Sequence, residues 1–352
     1  MNKIALLQQR KNRDSNFELA RIVAMLMIVI GHFVVHGIWE GEFCSRVDFQ
    51  RPSYCIFENL IYSFCVCGVN IFVLISGYHR INLKLKSLLS LWFLCAFYGI
   101  IAAIVNNYAA LSLVPSIVKA LFISKSQWFF AAYMWLLLLS PILNAGLDSL
   151  PINTLRLSIV VLFVLNCFSG WVLDNANANG YNVLHLVFIY SIGVWISKEH
   201  FLKEIRRHTY FVSFVLLSIL LCFFSVVSLF FLSTSNFPVY YYNNPLVVLA
   251  SIVLFCYFSK LQLQSRIINM IASTVVAALF IQDFIGSEWI YTSINEAYAA
   301  GIYRFLLSSI IFGVGIFVSA FCVEIIRQVI FQPFIERIVS LCDKIGFGIF
   351  RL

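Results

Sequence analysis

Charge is scarce in this chain of 352 residues: Asp, Glu, Lys and Arg together make up 11% of it. That is far below what a domain surrounded by water carries, so length is no guide to a number of soluble domains. No CxxC pair and no Cys/His spacing of the metal-binding kind occurs, so a structural metal centre is not expected. No internal repeat, no low-complexity tail and no loop long enough for an independent external domain is visible. A cleavable leader is not expected either, because polar Gln8 to Asn16 precede an apolar run of full spanning length, which should stay as a signal-anchor. The formal net charge is +8, but the basic residues fall singly in short loops instead of clustering on one face, so nucleic acid is not an expected partner.

What the chain has in abundance is apolar sequence, 61% of residues with a mean hydropathy of +0.91, which places it among polytopic membrane proteins. Ten runs approach the length needed to cross a bilayer as helices: about 17–37, 59–78, 87–106, 127–145, 156–173, 183–198, 210–232, 245–259, 267–285 and 303–325. With the N-terminus inside, eighteen of the 24 Lys and Arg residues lie in inner segments and five in outer ones, and Arg21 stands at the inner end of the first run. This asymmetry predicts an all-α membrane protein of about ten transmembrane helices, with both termini cytoplasmic. Residues 1–327 form the membrane domain in this reading. From Gln328 to residue 352, Phe331, Phe334, Ile335, Ile338 and Val339 share one side of an amphipathic segment expected on the inner leaflet. Seven of the ten cysteines lie in apolar runs as small hydrophobes. Cys44 and Cys55 share an outer loop, where an oxidising compartment would allow one disulfide.

The first apolar run is the unusual one, since it carries Glu18, Arg21, His32 and His36. At about 100° per residue, the eleven steps from Arg21 to His32 turn roughly 1100°, three turns and a little more, so the two point the same way. Glu18 lies three residues before Arg21 and His36 four after His32, which puts all four on a stripe about 27 Å long. Ionisable side chains cost several kcal/mol in hydrocarbon, so this stripe should face protein or a water-filled cavity and line the functional site. A plainer reading stays open for Glu18 and Arg21, as markers of the membrane boundary, and His36 reads as the helix end. His32 stands more than two turns from any other charge and is the stronger candidate.

Other polar residues in apolar runs deserve the same scrutiny. In Phe72 to Arg80, Ser76 and Gly77 permit close helix approach, Tyr78 follows, and Arg80 sits at the level of Arg21. Two guanidinium groups there could grip phosphates of a cytoplasmic ligand, or Arg80 could be a loop cation and no more. Trp128 and Tyr133 open the fourth run as belt aromatics or site residues, and Pro141 frees a carbonyl inside it. Near the outer end of the ninth run come Gln282 and Asp283, the latter a carboxylate that needs a partner. A contact between Asp283 and His32 would orient the imidazole as a general base.

The ordered set of these segments resembles the integral-membrane acyltransferase-3 family, multi-span bacterial enzymes that acylate surface carbohydrates. The resemblance rests on the Arg21-x10-His32 spacing, on Phe72 to Tyr78 ending in Ser-Gly-Tyr, and on Trp128 to Tyr133 followed by Leu139-Ser-Pro-Ile-Leu-Asn144. Asn243-Asn-Pro-Leu246 and Ile271-Ala-Ser-Thr274 leading to Phe280-Ile-Gln-Asp283 complete it. It implies acyl-CoA, typically acetyl-CoA, as a cytoplasmic co-substrate with no bound cofactor, and a glycan hydroxyl as acceptor at the outer face of the inner membrane. His32 would then be the general base or a transient acyl carrier, and Arg21 would position the donor. Family members often carry His where this chain has Gln282, which can only hydrogen-bond. The rival readings are a polymerase of O-antigen or exopolysaccharide and a flippase of lipid-linked glycans. A polymerase needs a large outer loop, and a flippase inverted repeats with broken helices.

Overall fold

The computed structural model describes residues 14–40, 51–107, 113–121, 127–173, 178–199, 204–232 and 239–344. It is 87% helical, with no strand among the described residues. The helices are α1 (Ser15–His32), α2 (Pro52–Cys65), α3 (Gly68–His79), α4 (Leu85–Asn107), α5 (Leu113–Ala120), α6 (Trp128–Ser149) and α7 (Ile152–Val164). They continue with α8 (Val183–Lys198), α9 (Arg207–Val227), α10 (Pro245–Ser259), α11 (Arg266–Ala272), α12 (Val276–Phe280), α13 (Ser287–Ala299) and α14 (Ile302–Lys344). Wider π turns prolong four of them, over Phe33–Ile38 after α1, Leu165–Val172 after α7, Ser228–Leu232 after α9 and Ile281–Ile285 after α12.

Eight helical stretches are long and apolar enough to cross a membrane, and the remaining two apolar runs of the sequence are the shorter α8 and α10. At 16 and 15 residues these two reach about 24 and 22 Å, less than the hydrocarbon thickness of about 30 Å. They are buried on most sides by their neighbours, so their length is matched to the protein interior. Asn182 and Asn244 start them, each side chain accepting from a backbone N–H one turn on, His185 at 3.2 Å and Leu246 at 2.8 Å. The tightest helix crossing joins α3 to α8: a Cβ at Gly77 would lie 2.1 Å from the Tyr190 carbonyl oxygen, and one at Gly193 2.5 Å from that of Leu74. The close approach expected at Ser76-Gly77 is therefore real, and it is a backbone contact.

Several sequence expectations change in three dimensions. The second run is two helices, α2 and α3, separated by a turn at Val66 and Cys67. The ninth is broken at residues 273–275, where the Met270 and Ile271 carbonyls keep backbone donors three residues on and also accept from side chains, Ser273 Oγ at 2.7 Å and Thr274 Oγ1 at 2.8 Å. Pro141 stays inside α6, and the Leu137 carbonyl accepts from Ser140 Oγ at 2.8 Å instead. The stretch 286–302, read as an outer loop, contains α13, because Ile290 and Ile294 sit one turn apart and bury against the end of α1. No break occurs at residue 328: α14 runs on to Lys344, Phe331 and Phe334 meet Phe93 of α4, and Ile335 is buried. Arg327, counted as an inner-loop cation, is buried in α14 in a pair with Glu324, which Tyr98 also bonds. Cys44 lies outside the described residues, and the Cys44–Cys55 pairing with it.

Candidate active site

Two helical stretches run side by side from a common level. Ser265 N, at the head of α11, donates to Ser15 Oγ at 2.8 Å at the head of α1, while Asn16 Nδ2 holds the Phe258 carbonyl at 3.2 Å. From Ser15 the chain rises 17 residues to His32, and from Ser265 it rises 18 to Asp283. Equal rise along parallel neighbours brings the two side chains to one height. One residue earlier Gln282, fully buried, donates from Nε2 to the Val29 carbonyl at 2.9 Å, tying the helices together just below the pair. Gln282 thus serves as a strut on the α1 backbone.

His32 Nδ1 lies 3.0 Å from both oxygens of Asp283. An ionised carboxylate can only accept, so Nδ1 carries the hydrogen and Nε2 is left as the basic nitrogen. Tyr291 of α13 donates its hydroxyl to Asp283 Oδ1, so two donors compensate a carboxylate that would otherwise be costly at this depth. Burial and that carboxylate push the Tyr291 hydroxyl well above the usual phenol range, so it remains a donor. The His36 ring stands 5.1 Å from that of His32, nearly perpendicular to it, and 5.2 Å from Tyr291. Gly37 lets α13 come this close, since a Cβ there would sit 2.7 Å from Ile294 Cγ2.

Two openings flank this group. On one side is a cavity whose walls are mainly apolar, with Met25, Ile28 and His32 on α1 and Phe72, Trp128 and Phe130 opposite. Trp128 stacks on Tyr242 with ring centroids 5.7 Å apart. Phe130 stacks on Phe280 at 4.6 Å and Phe280 on Tyr98 at 5.1 Å, so the wall leans on the buried Glu324–Arg327 pair. On the other side is an open cleft lined by His36, Glu40, Glu288, Thr292, Asn295 and Glu296, with Tyr291 at its floor.

The remaining candidates lie elsewhere. Arg21 pairs with Glu18 along α1, one turn beyond Met25 and outside the cavity wall. Arg80 bonds Asp148 at 3.1 Å and Ser197 Oγ at 2.9 Å, closing α3 onto α6 and α8. The two guanidinium groups are thus each held in an ion pair of their own, Arg21 with Glu18 and Arg80 with Asp148. Ser76 donates to the Phe72 carbonyl at 2.9 Å and so accepts from the Tyr133 hydroxyl, also at 2.9 Å, one turn away from the cavity. Tyr78 packs between Phe17 and Phe255. Tyr291 escaped the sequence reading because α13 is too short for a search aimed at spans; the Ile290/Ile294 spacing with Tyr291 between them was its signal.

A basic nitrogen fixed by a carboxylate, opening on an apolar cavity inside a membrane-spanning bundle, suits the transfer of a group that arrives through an apolar channel. Residues 14–327 match the model of the acyltransferase-3 family, an acyltransferase domain, and the chain belongs to that family. It is a membrane acyltransferase. No curated protein and no solved structure matches it.

Proposed function

We propose that this protein is an O-acyltransferase of a bacterial inner membrane. It moves an acyl group, acetyl in the simplest case, from cytoplasmic acyl-CoA to a hydroxyl of a surface polysaccharide such as an O-antigen or exopolysaccharide. The observation that carries this reading is His32, held through Nδ1 by Asp283 at 3.0 Å with its ring on the cavity wall. Ten crossings with both termini in the cytoplasm fit the distribution of basic residues and would place Arg21 on the donor side and His32 toward the acceptor. Arg21 then meets the donor by exchanging Glu18 for a CoA phosphate, a geometry guanidinium groups favour. Membrane lipids are the other partners.

Held this way, Nε2 of His32 can do either of two jobs at a thioester carbonyl. It can take the proton of the attacking hydroxyl, or it can attack the carbon itself and hold the acyl group until the hydroxyl arrives. Both need the same tautomer, and both place a positive imidazolium beside Asp283, which stabilises it. In either route the C–S bond breaks, an ester C–O bond forms, the hydroxyl proton leaves through an imidazole, and the free thiol departs.

The test is His32→Ala, produced at normal abundance in the membrane, with the polysaccharide read by NMR. The O-acyl methyl signal should disappear while chain length stays the same; a persistent signal would sink the proposal. Shortened chains on loss of the gene would point to the polymerase reading instead, and absent chains to the flippase reading.

A further inference from the structure

The two openings end on two different imidazoles. His32 lines the cavity, and His36 lines the outer cleft. An ordinary α-helix would carry His36 past His32 by about 40° around the axis. Here the chain over Phe33–Ile38 follows the wider i→i+5 turn, and the His36 ring meets that of His32 nearly edge-on. Such turns are often kept where function needs them. The ring centroids are 5.1 Å apart, the separation of two rings in contact. Tyr291 joins them from α13, with its ring 5.2 Å from His36 and its hydroxyl on Asp283.

A polyhydroxylated acceptor and an acyl thioester are unlike molecules, and these walls sort them. The cavity is faced mainly with rings and aliphatic side chains, Phe72, Trp128 and Phe130 among them, and has few polar groups besides Gln127 and the His32–Asp283 pair, whereas the cleft offers Glu40, Glu288, Thr292 and Asn295. The hydroxyl therefore reaches His36 first and the thioester reaches His32 first.

Resting on the acyltransferase reading above, we infer that His36 is a second catalytic residue, the base for the acceptor hydroxyl, and that His32 takes the carrier job. Nε2 of neutral His32 attacks the thioester carbon; the C–N bond forms, the C–S bond breaks, and the thiolate leaves to take a proton from water. The acyl-imidazolium is paired with the Asp283 carboxylate. The acceptor oxygen then attacks the same carbon while its proton passes to His36; the C–O bond forms, the C–N electrons return to Nε2, and His36 releases the proton into the cleft. The acyl group, the smaller of the two reactants, makes the crossing.

The experiment uses the full chain in membrane vesicles with acetyl-CoA labelled in the acetyl group and the host polysaccharide as acceptor. His36→Ala and the bulkier His36→Gln should lower transfer to the glycan by about 10²- to 10⁴-fold, the range of a general base. They should still release, without acceptor, a burst of free thiol of about one per protein, the mark of an acyl-enzyme. Added imidazole should restore transfer in His36→Ala, which repair of a merely structural role would not do. His32→Ala should give neither burst nor transfer. Transfer by both His36 variants within about twofold of the parent, a missing burst, or no rescue by imidazole would each overturn the inference. If His32→Ala transfers normally, the acyltransferase mechanism itself falls; if His32→Ala is dead and the His36 variants are normal, only the role of His36 falls.

Discussion

The cavity and the cleft on either side of the His32–Asp283 pair are built from opposite materials. The cavity is closed by rings, Phe72, Trp128 and Phe130, drawn from helices far apart in the chain. The cleft is lined by polar and acidic groups, most of them on the single helix α13, and it is open. A site that binds one molecule has no need of two such contrasting approaches. The contrast suits a reaction in which the reactants come from different phases and meet at a narrow waist. It also explains how the waist holds ionisable groups at membrane depth: they are partnered, with Asp283 accepting from both His32 and Tyr291.

Three substitutions would break or sharpen this contrast. The largest effect belongs to the waist. Asp283→Asn, which keeps the size but removes the charge and can turn an NH2 toward Nδ1 and so favour the wrong tautomer, should cut turnover by about 10³-fold or more, as loss of a histidine-orienting carboxylate does elsewhere. Normal turnover in that variant would detach Asp283 from the chemistry. Next is the cavity: Leu279→Trp, at its wall, fills part of it and should raise KM for the acyl-CoA about tenfold, leaving KM for the glycan alone. A change confined to the glycan would mean that the two openings have been assigned the wrong way round. Smallest is the cleft: Glu288→Gln removes an exposed charge and should move KM for the acceptor by less than about fivefold, with donor kinetics unchanged. An effect on the donor instead would erase the distinction between the two sides.

Much of this was readable along the chain. The apolar runs, the polar stripe on the first of them and the lone carboxylate at Asp283 are local facts, visible because hydrocarbon excludes charge wherever it occurs. Which carboxylates hold Arg21 and Arg80 was not legible in the sequence: Glu18 within the same helix and Asp148 on α6. The helical state of α13 was missed because thirteen residues with Ser, Thr, Asn and Glu interspersed leave no spanning hydropathy signal; their order comes from Ile290, Ile294 and Tyr291 fitting against the end of α1. His36 looked like a helix end; its place on the stripe with His32 was readable from the spacing, and only the structure puts the cleft in front of it.

By itself the sequence determined that this is an all-helical membrane protein and which few side chains would have to be sheltered, because burial cost depends on composition over a window of about twenty residues. The tertiary structure alone decided that His32 meets Asp283, 251 residues away, that Tyr291 steadies the carboxylate and that two unlike openings converge there. Those outcomes depend on the level from which α1 and α11 start, set by Ser15 and Ser265, and on where α13 can lie against Gly37. Contacts between distant helices are fixed by packing and register, which no single stretch of sequence contains.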